Sequence, residues 1–277
     1  MKNAMTALDA LPDARPQTDP ATAEARPPLD APRSLRPRRV AHELKRRELT
    51  VRRVEALSPG VRRITLGGDD LADFTSLGFD DHVKLFFDTG AAAGAARRDY
   101  TPRSFDRAAR ELVIEFALHG DGPAAGWAAQ ARPGQTLLVG GPKGSFILPE
   151  GLDWHWLVAD LTALPALARR LEELPSGALV KALVIAPDPA DRRPLASAAH
   201  VDLHWVPDAG TALARVRTWA RPVGEGFAWA AGEASAMAAL RRVLVDEIGL
   251  SGEQVRASAY WKQGVADHHE SLGPRGG

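Results

Sequence analysis

The chain contains no cysteine among its 277 residues, which excludes disulfides, a cysteine nucleophile and metal or iron–sulfur sites held by thiolates. It has no excess of charge either, because 35 Lys and Arg balance 35 Asp and Glu, and we expect no nucleic-acid partner. No apolar run approaches the roughly 18 residues of a membrane span. The G-x-S-x-G, phosphate-loop and G-x-G-x-x-G patterns are also missing. Redox chemistry here therefore requires an organic cofactor or a metal held by His and carboxylates.

The first 40 residues have no aromatic side chain and hold seven of the 21 prolines. Such a segment buries too little apolar surface to offset its chain entropy, so we predict that residues 1–40 are disordered, as are residues 271–277. No apolar stretch resembles a secretory signal, and we expect a cytoplasmic protein.

Residues 41–150 show short alternating segments separated by turn signals, which predict a small antiparallel β-barrel with one helix. The predicted strands are residues 48–54, 61–66, 82–87, 112–118 and 136–139, and the helix is residues 124–131.

Residues 151–270 change in pattern, because apolar runs alternate with segments of helical spacing. This alternation predicts an α/β domain with a mostly parallel sheet. The predicted strands are residues 154–159, 179–186, 201–206, 227–231 and 255–260, and the predicted helices are residues 164–174, 211–220 and 235–248.

The segment R-x-Y-T-P-R at residues 98–103 combines groups suited to a planar anionic ligand. Arg98 and Arg103 offer forked donors for phosphate, Tyr100 offers a stacking face and Thr101 a hydroxyl. The same spacing is equally compatible with a strand–turn–strand whose arginines are exposed. The pair His268–His269 beside Asp267 could bind a metal, but we predict no metal site.

This segment resembles the flavin motif of the siderophore-interacting protein family, the ferric-siderophore reductases related to ferredoxin reductases. Further blocks follow in the order of that family: H-G…G-P-A at residues 119–124, G-P-K-G-S at 141–145, D-L-T-A-L-P at 160–165, A-G-E at 231–233 and Y-W-K-x-G at 260–264. The sequence departs from the family at Ala125, which stands where Ser is usual, and at Leu161, which replaces Glu.

The resemblance implies FAD bound between the barrel and the α/β domain, with Tyr100 and Thr101 at the isoalloxazine as catalytic residues and Arg98 and Arg103 on phosphates or the polar edge of the ring. It implies that the flavin pyrophosphate lies at a helix N-terminus formed by His119, Gly122, Pro123, Ala124 and Trp127. It assigns NAD(P)H, the expected electron donor, to Thr162, Ala163, Gly232 and Glu233.

The implied substrate is a ferric siderophore, attracted by a cationic pocket for which Lys84, Lys143 and Lys262 are candidates. We expect a monomer. Three functions stay open: a ferric-siderophore reductase, a flavin-linked reductase for another acceptor such as a ferredoxin or a small molecule, and a protein that binds a siderophore or flavin without turnover. The sequence also leaves NADH, NADPH and ferredoxin open as donors.

Overall fold

The computed structural model describes residues 36–88, 96–118, 120, 122–265 and 270–271, which form two large β-sheets, one two-stranded ribbon and four α-helices. The strands are β1 (Arg38–Ala41), β2 (Arg46–Ser58), β3 (Val61–Gly67), β4 (Val83–Phe87), β5 (Ala96–Tyr100), β6 (Ser104–Asp106), β7 (Glu111–Ala117), β8 (Thr136–Gly140), β9 (Gly144–Ile147), β10 (Trp154–Asp160), β11 (Leu179–Ile185), β12 (His200–Val206), β13 (Gly226–Glu233), β14 (Val255–Trp261) and β15 (Glu270–Ser271). The helices are α1 (Pro123–Gln130), α2 (Leu164–Glu173), α3 (Ala209–Arg217) and α4 (Ala234–Arg242).

The first sheet is an antiparallel half-barrel with the strand order β5-β4-β8-β2-β3-β7-β6. Its strands alternate, so that Leu49 and Val51 of β2 point into the core while Thr50 between them points to the opposite face. Helix α1 closes the core with Ala124 and Ala128. The predicted antiparallel architecture is confirmed, as a sheet that curls around its core with β5 and β6 at its edges.

The second sheet has the order β12-β11-β10-β13-β14-β15, in which every strand is parallel to its neighbour except the antiparallel β15. The central strand β10 is buried from Trp154 to Ala159 because helices cover both faces. Helix α2 packs on one face, and α3 and α4 pack on the other. The predicted parallel α/β layer is confirmed.

The strand order reverses between β10 and β13, because the chain builds outward from β10 to β12 and then returns to the other side of β10. Open α/β sheets bind ligands at the carboxyl ends of the strands at such a reversal. Asp160 ends β10 and Glu233 ends β13, so these two carboxylates mark that position.

Three details differ from the sequence expectations. Residues 38–40 belong to strand β1, which pairs with β9, so the prediction of disorder up to residue 40 is wrong there. Residues 96–100 form strand β5, paired with β4, which is absent from the predicted strands. The predicted helix 235–248 is α-helical over Ala234–Arg242 and continues as a π-turn over Val243–Glu247. No helix in the described part of the chain is long and apolar enough to cross a membrane.

Candidate functional site

A cavity of about 510 Å³ lies between the half-barrel and the parallel sheet. We call it the flavin cavity, after the cofactor expected from the sequence. Its walls include seven residues that the sequence analysis singles out, namely Arg98, Tyr100, Thr101, Gly122, Ala124, Thr162 and Lys262. The fold therefore brings together residues that lie up to 164 positions apart in the chain.

Tyr100 and Thr101 form the floor of this cavity at the end of β5. The Tyr100 ring packs on Phe116 with the ring centroids 4.5 Å apart. Burial raises the pKa of the Tyr100 phenol, an effect that nearby Arg98 partly opposes, so the phenol is neutral. Thr101 is buried, and its side chain hydrogen-bonds Tyr260 on β14. This bond ties the half-barrel to the parallel sheet inside the cavity.

The N-terminus of α1 opens on the same cavity. Gly122 is the N-cap and offers no side chain to the first turn, which Pro123 begins. A Cβ added at Gly122 would meet no atom of the described residues within 4 Å, so they leave space open at this N-cap. Trp127 lies behind the cavity wall, where it packs on Phe87 and Phe116 with both ring centroids at 5.6 Å. Trp127 therefore holds α1 on the barrel.

Asp160 connects three strands at the carboxyl edge of the parallel sheet. Its Oδ1 accepts hydrogen bonds from the Thr162 backbone N–H at 2.9 Å and the Thr162 hydroxyl at 2.5 Å. Its Oδ2 accepts hydrogen bonds from the Glu233 N–H at 3.0 Å and from Trp261 Nε1 at 2.8 Å. Gly232 allows this approach, since it has a φ of +152° and a Cβ there would lie 2.5 Å from Asp160 Oδ2.

A second cavity of about 360 Å³ lies on the other side of this carboxylate, and we call it the crevice. The two cavities share Ala117, Thr162 and Trp261 in their walls. Glu233 lines the crevice and caps α4 by accepting from the Ser235 and Ala236 N–H groups. Burial raises the pKa of the Glu233 carboxyl, but these bonds and the Ser235 hydroxyl outweigh it and lower that pKa. Ala163, buried at the N-cap of α2, supports Thr162 without lining either cavity.

The structure does not bring Arg103 to the flavin cavity, which corrects its expected place on the flavin. Its guanidinium is 9% exposed and forms a two-pronged ion pair with Glu172 of α2. The Arg103 Nε also lies 3.6 Å from Glu115, a buried carboxylate of β7 that Arg63 and Arg193 contact as well. Arg103 therefore fastens the half-barrel to α2.

Of the three candidate lysines, Lys262 lines the flavin cavity, whereas Lys84 and Lys143 do not. The register of β4 and β5 sets Lys84 opposite Asp99, and the Lys84 ammonium forms a 2.9 Å ion pair with that carboxylate. Lys143 lies in the turn before β9, where its carbonyl accepts a hydrogen bond from the His42 N–H. The expected three-lysine pocket is thus not assembled here. His119 and the pair His268–His269 lie outside the described residues.

Sequence reasoning missed Tyr260, Trp261 and Asp160 as site residues, although all three lie within recognised blocks. Tyr260 and Trp261 line the flavin cavity, and Asp160 lines the crevice. Strand β14 ends in Trp261 at the same carboxyl edge as Asp160. Two aromatic residues directly before a turn at the end of a parallel strand were the available signal.

Comparison with known proteins agrees with this geometry. The family model described as siderophore-interacting protein matches residues 152–264, and the model described as siderophore-interacting FAD-binding domain matches residues 50–96 and 89–146. The chain belongs to the siderophore-interacting protein family. The half-barrel is accordingly the FAD-binding part of this family's fold.

Individual relatives cover most of the chain. It is 40% identical over 246 residues to the NADPH-dependent ferric-chelate reductase of Escherichia coli, covering 81% of this chain and 96% of the relative. It is 29% identical over 245 residues to the ferric vibriobactin reductase ViuB of Vibrio cholerae, covering 79% and 90%. Among solved structures, a siderophore utilization protein from T. fusca matches with a TM-score of 0.79 and 38% identity, covering 84% of this chain and 98% of the other.

The residues of the flavin cavity fit FAD. A flavin presents a flat aromatic ring, for which Tyr100 supplies a buried aromatic wall, and an anionic pyrophosphate, for which Arg98 supplies a cation. The first turn of α1, whose N-cap Gly122 carries no side chain and has open space among the described residues, supplies backbone N–H groups for the pyrophosphate.

Proposed function

We propose that this protein is a ferric-siderophore reductase that passes electrons from NAD(P)H through FAD to a ferric siderophore and releases Fe(II). The observation that carries the proposal is the pair of cavities with a common wall at Ala117, Thr162 and Trp261. One cavity suits a flavin, and the other lies where parallel sheets bind nucleotides. The names of the relatives from E. coli and V. cholerae support the same activity.

In this proposal Tyr100 and Thr101 hold the flavin ring, while Arg98 and the first turn of α1 hold its phosphates. The neutral Tyr260 phenol orients the Thr101 hydroxyl through their hydrogen bond. Bound FAD supplies the conversion of a two-electron hydride donor into single electrons, which ferric iron requires.

The donor nucleotide binds in the crevice, at the carboxyl edge shaped by Asp160. Thr162, held by two hydrogen bonds to Asp160, stands in the wall between donor and flavin. Gly232 and Glu233 form the opposite side at the end of β13. These groups orient the nucleotide and separate it from the acceptor side of the flavin.

The acceptor side contains Lys262, exposed in the turn that follows β14. Siderophores bind Fe(III) through hard anionic oxygens, so a cation beside the flavin attracts their ferric complexes. The same oxygens hold Fe(II) far less strongly, and reduction itself therefore releases the metal. The protein needs no acid–base residue for that release.

The proposal extends to the organisation of the protein. We assign FAD binding to residues 41–150 and nucleotide binding to residues 151–270, and we propose that the protein acts as a cytoplasmic monomer. One chain supplies the described walls of both cavities, which supports the monomer. Light scattering on the purified protein would measure its mass.

The test is an anaerobic reduction assay on the yellow protein. Addition of NADH or NADPH is expected to bleach the flavin absorbance, and a panel of ferric siderophores is expected to restore it with formation of Fe(II). Bleaching of the flavin by reduced ferredoxin but by neither nucleotide would make ferredoxin the electron donor in place of NAD(P)H. Bleached flavin that no ferric complex reoxidises would exclude the proposed acceptor.

A further inference from the structure

Four of the parallel strands end in an acidic residue or are followed by one within three positions. Asp160 ends β10, Glu233 ends β13, Asp188 follows β11 by three positions and Asp208 follows β12 by two. Three of these, together with Asp191, line the crevice, and no Lys, Arg or His is among the described residues that line it. The crevice wall is therefore negative wherever it is charged.

The carboxylates of the crevice wall are also not neutralised from behind. Within the part of the chain that the structure describes, no ion pair joins Asp160, Asp188, Asp191 or Glu233 to a cation. Asp160 accepts from N–H, hydroxyl and indole groups, Glu233 caps α4, and buried Asp191 accepts from the Gly60 N–H at 2.8 Å. In the flavin cavity, by contrast, Asp99 pairs with Lys84, and Glu115 contacts three arginines.

Asp188 is the most available of these carboxylates. It is exposed, and its Oδ1 accepts one hydrogen bond from the Ala190 N–H at 2.8 Å. Its position at the carboxyl end of the strand next to β10 is one from which dinucleotide-binding sheets contact the adenosine ribose. There an acidic side chain accepts from the ribose 2′-hydroxyl of NAD, whereas an arginine accommodates the 2′-phosphate of NADP.

NADPH differs from NADH by this phosphate, which carries about −1.5 to −2 charges at neutral pH, as phosphate monoesters do. We propose that the crevice selects NADH over NADPH and that Asp188 is the residue that discriminates between them. This inference rests on the proposed donor site. It separates this chain from its E. coli relative, whose name specifies NADPH.

Two arginines nearby are the alternatives that would favour a 2′-phosphate. Arg193 is 16% exposed and already forms an ion pair with the buried Glu115 carboxylate between the two sheets. Arg192 is exposed next to Asp191 but does not line the crevice. Arg192 therefore serves as a test position rather than as an expected contact.

The experiment compares the two nucleotides on FAD-loaded protein in two ways. Calorimetric titration with NAD⁺ and NADP⁺ gives dissociation constants without turnover, and anaerobic mixing with NADH and NADPH gives rates of flavin reduction. The variants are Asp188→Asn, which removes the charge with little change of shape, and Arg192→Ala. Asp246→Asn is the matched control, because Asp246 is exposed on the π-turn and does not line the crevice.

We expect wild type to favour the NAD form by about tenfold, the effect of a like charge beside an exposed carboxylate. This ratio should shrink in Asp188→Asn through tighter NADP⁺ binding, and should stay unchanged in Asp246→Asn and Arg192→Ala. Added salt should also reduce it, since the repulsion is screened.

Equal or tighter binding of NADP⁺ by wild type would overturn the inference and leave the proposed function standing. A ratio unchanged in Asp188→Asn, or loss of NADP⁺ binding in Arg192→Ala, would overturn the role of Asp188. Failure of both nucleotides to bind and to reduce the flavin would overturn the inference together with the donor of the proposed function.

Discussion

The two cavities share a wall, but the charged side chains that line them differ in sign and in pairing. In the flavin cavity Arg98 and Lys262 face the space, and its two carboxylates, Asp99 and Glu115, have cationic partners. In the crevice, carboxylates face the space and are held by neutral donors instead. Anionic ligands are thus attracted on one side of the wall and restricted on the other.

This difference suits a protein that must bring three anionic molecules together. In the proposed function, the flavin pyrophosphate and the ferric siderophore lie on the cationic side, whereas the donor nucleotide lies on the acidic side. In this proposal the acidic wall disfavours entry of a ferric complex with anionic oxygens into the crevice, and it repels the phosphates of the nucleotide as well. The shared residues Thr162 and Trp261 keep the two sites close together.

The largest expected effect comes from emptying the flavin cavity. Arg98→Ala combined with Tyr100→Ala removes the cation proposed to bind the flavin phosphates and the aromatic wall proposed to contact the flavin ring. The purified protein should therefore be largely colourless. Flavin content per chain measured by absorbance checks this result. Arg97→Ala is the control, because Arg97 is exposed on the same strand, does not line the cavity, and its loss should leave flavin content close to wild type. Full flavin occupancy in the double variant would contradict the assignment of this cavity.

The next effect concerns the wall itself. Asp160→Ala leaves the Thr162, Glu233 and Trp261 donors without their acceptor, which should cost roughly 3 kcal/mol of unfolding free energy. Because both cavities depend on this residue, flavin content and nucleotide binding should fall together. Thermal melting with the Asp246→Ala control measures the stability. Loss of function in one cavity alone would show that the wall is not shared.

A third prediction concerns pH and His155, a histidine buried near the amino end of β10. Burial, assisted by Arg170, lowers the pKa of His155 to about 3, well below the unfolded value near 6.5. Below pH 6.5 the His155 imidazole therefore binds a proton in the unfolded chain but not in the folded protein. The free energy of unfolding falls as the pH drops from 6.5 towards 3. By pH 5 the loss should reach about 2 kcal/mol. Denaturant titrations of His155→Gln should show a shallower acid slope, while His200→Gln, at an exposed site, should keep the wild-type slope.

The smallest effect is expected on the acceptor side. Lys262→Ala should raise KM for a ferric siderophore about fivefold and weaken its dependence on salt, the size of one exposed attraction. Flavin content should not change. Lys143→Ala is the matched control that should leave KM unchanged, because Lys143 does not line the cavity. An effect of the same size in Lys143→Ala would return Lys143 to the acceptor pocket.

Most of the fold could be predicted from the sequence because the patterns that indicate strands and helices are local. Alternation in residues 48–54 predicts a strand that buries one face, and the apolar run at 154–159 predicts a fully buried strand. Strand β1 could not be predicted in this way, since Arg38, Arg39 and Val40 give no alternating pattern. That strand exists because β9, more than 100 residues away, supplies its hydrogen bonds.

The site could be predicted where a motif is short and its residues share one strand end, as Tyr100 and Thr101 do. The position of Arg103 could not be predicted in this way. Arg103 follows the end of β5, and its ion-pair partner Glu172 lies 69 positions later in the chain. Lys84 is similar, since only the register of β4 with β5 reveals Asp99 opposite it. The acidic crevice was also hidden, because its carboxylates follow different strands and meet only at the edge of the sheet.

The most direct test of the division between the cavities is to time the two half-reactions separately in the same two variants. Stopped-flow mixing with NADH reports the reduction of the flavin, and mixing of the reduced protein with a ferric siderophore reports its reoxidation. Asp188→Asn should change the nucleotide dependence of the first step alone, and Lys262→Ala the siderophore dependence of the second alone. If either variant changed both steps equally, the two cavities would not divide donor from acceptor.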